Sequence, residues 1–323
     1  MKLFIRMLLA TIVSVSLGTC CSAEALRVAV QKTGTFAWEL AVIRAHGLDT
    51  EANLSVEVLE LASPEAGKIA LRAGNADIVV TDWLWVSRER GLGAKLTFYP
   101  YSSALGAVMV PASSPIQTLA DLRGRKLAVA GGPIDKSWLL LQALARRGGV
   151  DLKKEATIVY GAPPLLSEKA LQGETDATLT FWNFCADLES KGHKRAVEMA
   201  TVMHGLGAKG PVAIVGYTFD SAFAARNRSA VDRFLDAARQ AKEILATSES
   251  EWQRLAPRIR VTEPNALAIY RKRYAEGIVR RPLAEEEADA RGLYRVLAEI
   301  GGAELVGPAR ELAPGTFYRP AAE

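Results

Sequence analysis

The stretch of this chain best suited to holding an anion is Gly131-Gly132-Pro133-Ile134-Asp135-Lys136-Ser137. It reads as a turn from a strand into a helix. A helix start offers free backbone N–H groups and a partial positive charge. Lys136 and the Ser137 hydroxyl add to that, so a carboxylate, a sulfonate or a similar group is the chemistry expected there. Asp135 or Ser137 would equally serve as a plain helix cap, contributing about 1 kcal/mol, and the two readings are compatible. The second chemical signal is aromatic. Trp38, Trp83, Trp85, Trp138 and Trp182 fall at or just after expected strand ends, whereas Trp252 does not. A cleft lined by such rings suits a planar ligand, with stacking worth about 0.5–1.5 kcal/mol per pair beyond burial, or a cation. Asp82 would repel a purely anionic ligand unless it pairs with Lys136, Lys32 or Arg88 or accepts an N–H from the ligand. Inorganic anions such as nitrate and bicarbonate need few aromatics and fit this pattern poorly.

Catalytic chemistry has no comparable support. His46, His193 and His204 lie in separate loops without metal-ligand spacing. G-x-S-x-G, P-loop and Rossmann signatures are absent. Carboxylates do not cluster as a calcium loop requires. No catalytic residue, metal ligand or cofactor is therefore nominated, and the chain is not expected to be an enzyme. Cys185, within Phe181-Trp182-Asn183-Phe184-Cys185, reads as a packed small apolar residue rather than a nucleophile.

The elements that must position these residues are written twice. Residues 74–83 and 173–182 both read G-x-x-D-x-x-x-T-x-W, an offset of 99. The same offset carries Pro64 onto Pro163 and Arg27-Val28-Ala29-Val30 onto Lys126-Leu127-Ala128-Val129. One α/β unit used twice gives two lobes, and a cleft between lobes is a natural ligand site. Within each unit, apolar runs alternate with helix-like segments, the pattern of a parallel sheet with crossover helices. Strands are expected at 26–30, 54–61, 77–80, 126–130, 157–160 and 177–180. Helices are expected at 38–45, 63–72, 115–122, 137–147 and 165–172. Two further apolar strands, 105–110 and 211–218, read as the crossings between lobes, and such a pair forms a hinge. From Ser221 onward the pattern is helical, and those helices are expected to pack on the first lobe.

The expected class is α/β, with two parallel-rich sheets and flanking helices joined by a two-crossover hinge. Residues 26–104 plus 215–307 make the first lobe, 105–214 the second, and 308–323 an extended tail. Residues 1–23 read as a secretory signal: Lys2 and Arg6, then the apolar run Met7 to Leu17, then Cys21-Ser22-Ala23. Lipid anchoring at Cys20 or Cys21 is the weaker alternative. Removing Lys2 and Arg6 lowers the formal charge from +4 to +2, too little to argue for nucleic acid.

With these residues in place, the chain resembles the extracytoplasmic solute-binding proteins of ABC importers, of the nitrate/sulfonate/taurine type that includes binders of thiamine-precursor pyrimidines. The resemblance covers about residues 26 to 300. It rests on the secretory start, Val28-Ala29-Val30 with its following loop, and Leu71-Arg72-Ala73-Gly74-Asn75-Ala76-Asp77. It also rests on Ser113-Ser114-Pro115-Ile116 ahead of Leu119-Ala120-Asp121-Leu122-Arg123-Gly124-Arg125-Lys126. That last phrase marks the two-lobed fold better than the ligand.

The resemblance implies a type II-like periplasmic-binding-protein fold and a periplasmic, monomeric receptor that closes over a small organic solute. It further implies delivery to an ABC permease and its ATPase, with only peripheral contact with the inner membrane through that permease. Because ligands sit beyond the carboxyl ends of strands in open α/β sheets, the expected ligand residues are Thr33, Gly34, Thr35, Trp38, Asp82, Trp83, Trp85, Gly132, Lys136, Ser137, Trp138, Trp182 and Asn183. Ring-bearing or acid-bearing solutes, such as sulfonates, aromatic acids or pyrimidines, are the expected class. Two other readings stand beside this one: an exported accessory factor of a periplasmic quinoprotein dehydrogenase, and an enzyme on the same fold.

Overall fold

The computed structural model describes residues 23–31 and 34–321, so residues 1–22 of the expected signal segment, Lys32 and Thr33 lie outside the described residues. Ten strands form two five-stranded sheets with the same spatial order. The first contains β1 (Glu24–Gln31), β2 (Leu54–Leu61), β3 (Ile78–Asp82), β4 (Leu96–Ser102) and β10 (Val215–Asp220), in the order β2-β1-β3-β10-β4. The second contains β5 (Gly106–Pro111), β6 (Lys126–Ala130), β7 (Thr157–Gly161), β8 (Ala177–Phe181) and β9 (His193–Glu198), in the order β7-β6-β8-β5-β9. In each sheet the first three strands are parallel, and the fourth runs antiparallel to both neighbours. That fourth strand, β10 or β5, is the one that follows a crossing from the other lobe.

The sequence repeat is a repeat of backbone support. Asp77 accepts the Arg27 N–H at 2.8 Å and its own N–H donates to the Arg27 carbonyl at 2.7 Å. Asp176 accepts the Lys126 N–H at 2.7 Å and donates to the Lys126 carbonyl at 3.0 Å. Each aspartate thereby ties the start of the third strand to the start of the first. Gly74 and Gly173 stop the preceding helices with φ of 71° and 72°, a conformation that costs other residues about 1 kcal/mol or more. The fold alone accounts for the matched Gly and Asp.

Three expectations change. The 115–122 segment holds only a 3₁₀ turn, Ala120–Leu122, because Asp121 Oδ2 accepts from Gln117 N, Thr118 N and Thr118 Oγ1 and so fixes turns there. The return crossing becomes a strand only at Val215. Residues 212–214 are buried but find partners outside the sheet. Ala213 N donates to Glu286 Oε2 at 3.2 Å, and the Ala213 and Ile214 carbonyls accept from Trp83 Nε1 and Trp83 N at 2.9 and 3.3 Å. Finally, the C-terminal helices serve both lobes. The Pro264–Glu276 helix packs on Trp182–Ser190, and the Leu283–Val306 segment, kinked at Gly302, packs on both Trp83–Gly91 and Lys136–Arg147. Its buried Leu293, Tyr294 and Leu297 share one core with Trp138, Leu139 and Leu140.

Two edge strands show weak sequence signals for physical reasons. Pro100 lies in β4, an edge strand where a missing N–H is tolerated, beside an irregularity in the pairing with β10. His193-Lys194-Arg195 makes β9 a charged edge, as edge strands usually are. The tail also docks. Phe317 bridges Phe98, whose N–H and carbonyl bond Thr316 and Tyr318 at 2.8 and 2.7 Å.

Candidate functional site

The carboxyl ends of the parallel strands of both sheets, and the helix starts that follow them, meet between the lobes. On the first lobe, β3 delivers Asp82. Its Oδ1 accepts from Trp85 N at 2.8 Å, capping the Trp83–Gly91 helix, and its Oδ2 accepts from Lys136 Nζ of the second lobe at 3.0 Å. Burial acts to raise the Asp82 pKa, but Lys136, Lys68 and the Trp85 N–H outweigh it and hold the carboxyl below its ordinary value. For Lys136, burial acts to lower the pKa, and Asp82 reverses the sign. Of the pairings the sequence offered Asp82, Lys136 is the one found among the described residues, and Lys32 lies outside them.

On the second lobe, β6 is followed by Gly131 and Gly132, with φ of 93° and 121°. A side-chain Cβ on Gly131 would sit 2.9 Å from Asp135 Oδ2. Glycine there lets Asp135 fold back and cap Lys136–Arg147 through Trp138 N at 3.1 Å. Burial pushes Asp135 up to about 6. The stretch expected to hold an anion is therefore already occupied by its own groups: Asp135 caps the helix, Lys136 is paired, and Ser137 is buried.

The two remaining starts differ. Helix Phe36–Ala45 follows Gly34 and Thr35, and helix Trp182–Ser190 follows Phe181, with no side-chain cap on either among the described residues. Thr35 Oγ1 instead lies 3.2 Å from the Tyr101 hydroxyl. Beneath it, buried Glu39 is bonded by both Lys242 and Tyr217, and burial pushes Glu39 and Lys242 toward their neutral forms. Asn183 is half-buried in the first turn of its helix.

The tryptophans divide into three groups. Trp83 and Trp138 are both 0% exposed. Trp83 donates to Ala213 O and lies 6.3 Å from Tyr294, and Trp138 meets Tyr160 edge-on. Both are first-turn helix residues whose rings turn back into the core, so neither offers a face to a ligand, which corrects the expectation for both. Trp85 is half-buried with Lys68 Nζ 5.3 Å from its ring. Trp38 and Trp182 meet across the lobes at 5.8 Å, edge to face, and Trp252, Tyr270 and Tyr274 complete that cluster. Trp252, Tyr270 and Tyr274 sit more than a hundred residues from Trp38, and no spacing rule in the sequence points to them. Lys68 was equally invisible, being one charged residue on an amphipathic helix.

Among the described residues no group of three His, Cys, Asp or Glu side chains could hold a metal. The Cys185 thiol is sealed, lies 3.3 Å from Thr180 O, and is pushed by burial up to about 12, which keeps it protonated and unreactive.

Two α/β lobes, matched strand for strand and meeting at their strand ends, define the two-lobed periplasmic-binding-protein fold. The NMT1/THI5-like family model matches residues 40–250, and the chain belongs to that family. No curated protein matches by sequence. Solved structures with this fold include the periplasmic aliphatic sulphonate binding protein SsuA from Escherichia coli. It is 20% identical with a TM-score of 0.73, covering 92% of this chain and 93% of that one. The alkanesulfonate-binding protein SsuA from Xanthomonas axonopodis pv. citri, bound to MOPS, is 19% identical with a TM-score of 0.67, covering 91% and 98%. The desulfurization enzyme DSZB also shares the fold, at 15% identity and a TM-score of 0.60, covering 91% and 97%.

Proposed function

We propose that this protein is a periplasmic receptor of an ABC importer that captures a small organic solute between its lobes and presents it to a membrane permease. The observation that carries this reading is the meeting of the two strand-end edges, where Asp82 pairs with Lys136 and Trp38 packs on Trp182. A solute entering there replaces contacts the lobes otherwise make with each other. Its acid group takes the Lys136 ammonium, an N–H on it satisfies Asp82, and a ring lies against Trp38 and Trp182. Gly34, Thr35, Trp85, Gly132 and Asn183 border the same site. Closure over the solute then couples capture to permease recognition, since a ligand shifts the lobes only by its differential affinity for the closed state. Sulfonate recognition by proteins with this fold supports an acid-bearing solute.

A thermal-shift panel of alkanesulfonates, aromatic acids and pyrimidines tests the reading. A ligand at about 100 times its Kd adds roughly 2.7 kcal/mol, a shift of several degrees at this size. The expected result is one class that raises Tm in the native protein and loses that effect in Lys136→Ala. Silence across the panel from a well-folded protein overturns solute capture and leaves docking on a partner enzyme as the role of the fold.

A further inference from the structure

A cavity of about 330 Å³ opens on the first lobe between the helices Glu249–Ile259 and Pro264–Glu276. Its volume falls at the lower end of small-molecule pockets, about 300–1,000 Å³. None of its lining residues comes from the second sheet or its helices, so it is separate from the meeting of the lobes. Trp252 and Leu267, both nearly sealed, form an apolar floor, and Pro264 and Ala268 extend it at the rim. The polar wall is Arg271 with Gln253, Thr262 and Glu249. Arg271 is half-buried, and its one ionic partner among the described residues is Glu249, 4.0 Å away and itself largely exposed. At that separation the guanidinium keeps its donor fork open to a better acceptor, and a carboxylate is the group that a planar fork matches in bidentate fashion.

We propose that this cavity is an accessory binding site for a small amphipathic carboxylate. The apolar body lies on Trp252 and Leu267, and the acid group is held by Arg271. Glu249 at the rim disfavours polyanions, which limits the ligand to a single acid group. The site also has a route to the lobes. The Trp252 ring lies 6.0 Å from Trp38, which lies 5.8 Å from Trp182 on the other lobe. An occupant that presses on Trp252 therefore biases the aromatic contact through which the lobes meet.

Titration with phenylacetate and hexanoate, read by calorimetry and by intrinsic tryptophan fluorescence, tests the site. Phenethylamine serves as the charge-reversed control. Both acids are expected to bind and the amine is not. Arg271→Gln is expected to weaken acid binding about tenfold or more, the scale of a lost charge-assisted hydrogen bond. Ala268→Phe, which fills the cavity from its exposed rim, is expected to abolish binding. In the Lys136→Ala background, which removes the cation of the lobe interface, acid binding is expected to persist and to be lost when Arg271→Gln is added. Loss of acid binding in Lys136→Ala with retention in Arg271→Gln would assign the acids to the lobe interface and overturn the accessory site. Equal binding of amine and acid, or no heat and no fluorescence change at about a hundredfold excess over protein, overturns it as well. Either negative result leaves the solute reading of the lobe interface intact, because that reading is judged by Lys136→Ala in the thermal-shift panel.

Discussion

Positions 74–83 and 173–182 carry the same pattern on the two lobes, yet they diverge at their last two residues. Up to Thr81 and Thr180 the lobes do the same work, because Gly74 and Gly173 end a helix and Asp77 and Asp176 tie two strands. At the next position the first lobe has Asp82, a cap and ion-pair partner, whereas the second has Phe181, which caps nothing. Trp83 is then sealed under the return crossing, while its counterpart Trp182 reaches across to Trp38, Tyr270 and Tyr274. Residues inside the repeat serve the backbone, and the residues at its end differ: there the first lobe brings a polar partner to the interface and the second an aromatic one.

The strongest test of that contrast is a pair of truncations. Trp83→Ala empties a sealed core site and is expected to cost about 3–5 kcal/mol in urea unfolding. Trp182→Ala removes contacts made mainly with the other lobe. It is expected to cost clearly less and to raise the radius of gyration measured by X-ray scattering. Equal costs with no expansion would erase the distinction.

The shared half of the comparison is tested at the aspartates. Asp77→Ala and Asp176→Ala each strand a backbone N–H and should each cost about 1–3 kcal/mol. Asp77 should lie at the upper end, since the Arg27 guanidinium also bonds it at 3.0 and 2.6 Å. A large cost on one lobe alone would show that the repeat is not one device used twice.

How much of this was readable beforehand follows from how far each residue's partners lie along the chain. The Gly and Asp of the repeat act within about fifty residues and on backbone neighbours, so pattern and offset exposed them. The Trp83 environment was not readable, because its partners Ala213 and Tyr294 come from the return crossing and a late helix. The same distance hid the role of Glu286, pushed by burial up to about 7 while accepting from Ala213 N. It also hid the packing of Trp252 on Trp38. Strand β4 was masked locally by Pro100, and the tail showed its extended form but not its docking on Phe98. The Asp82–Lys136 pair was readable as one of three options because strand-end residues of both lobes are brought together by the topology itself.

Two smaller effects sharpen the polar side of the comparison. Lys136→Met leaves Asp82 without its cation and is expected to shift the lobes toward an open arrangement, visible as increased protease sensitivity near the crossings. An unchanged digestion pattern would assign the contact between the lobes to the aromatic pair alone. Asp135 gives the smallest signal. Its pKa in the fold, about 6, is above the unfolded value of about 3.9. Its contribution to stability is therefore complete below about pH 4 and is lost as pH rises through about 6. Asp135→Asn keeps a capping oxygen and should flatten the stability profile across that window, measured by urea midpoints at each pH. A profile that keeps its slope would place the titration elsewhere.

The placement of β10 has a consequence for the order in which the molecule can assemble. All five strands of the second sheet lie between Gly106 and Glu198, so that sheet can be completed from one continuous stretch. The first sheet cannot. Its β10 fits between β3 and β4, yet it is separated from β4 by more than a hundred residues, among them every strand of the other sheet. Contacts between distant chain segments form late. The lobe that begins the chain therefore depends on a pairing that spans the whole second lobe, whereas the second sheet needs no strand from outside residues 106–198.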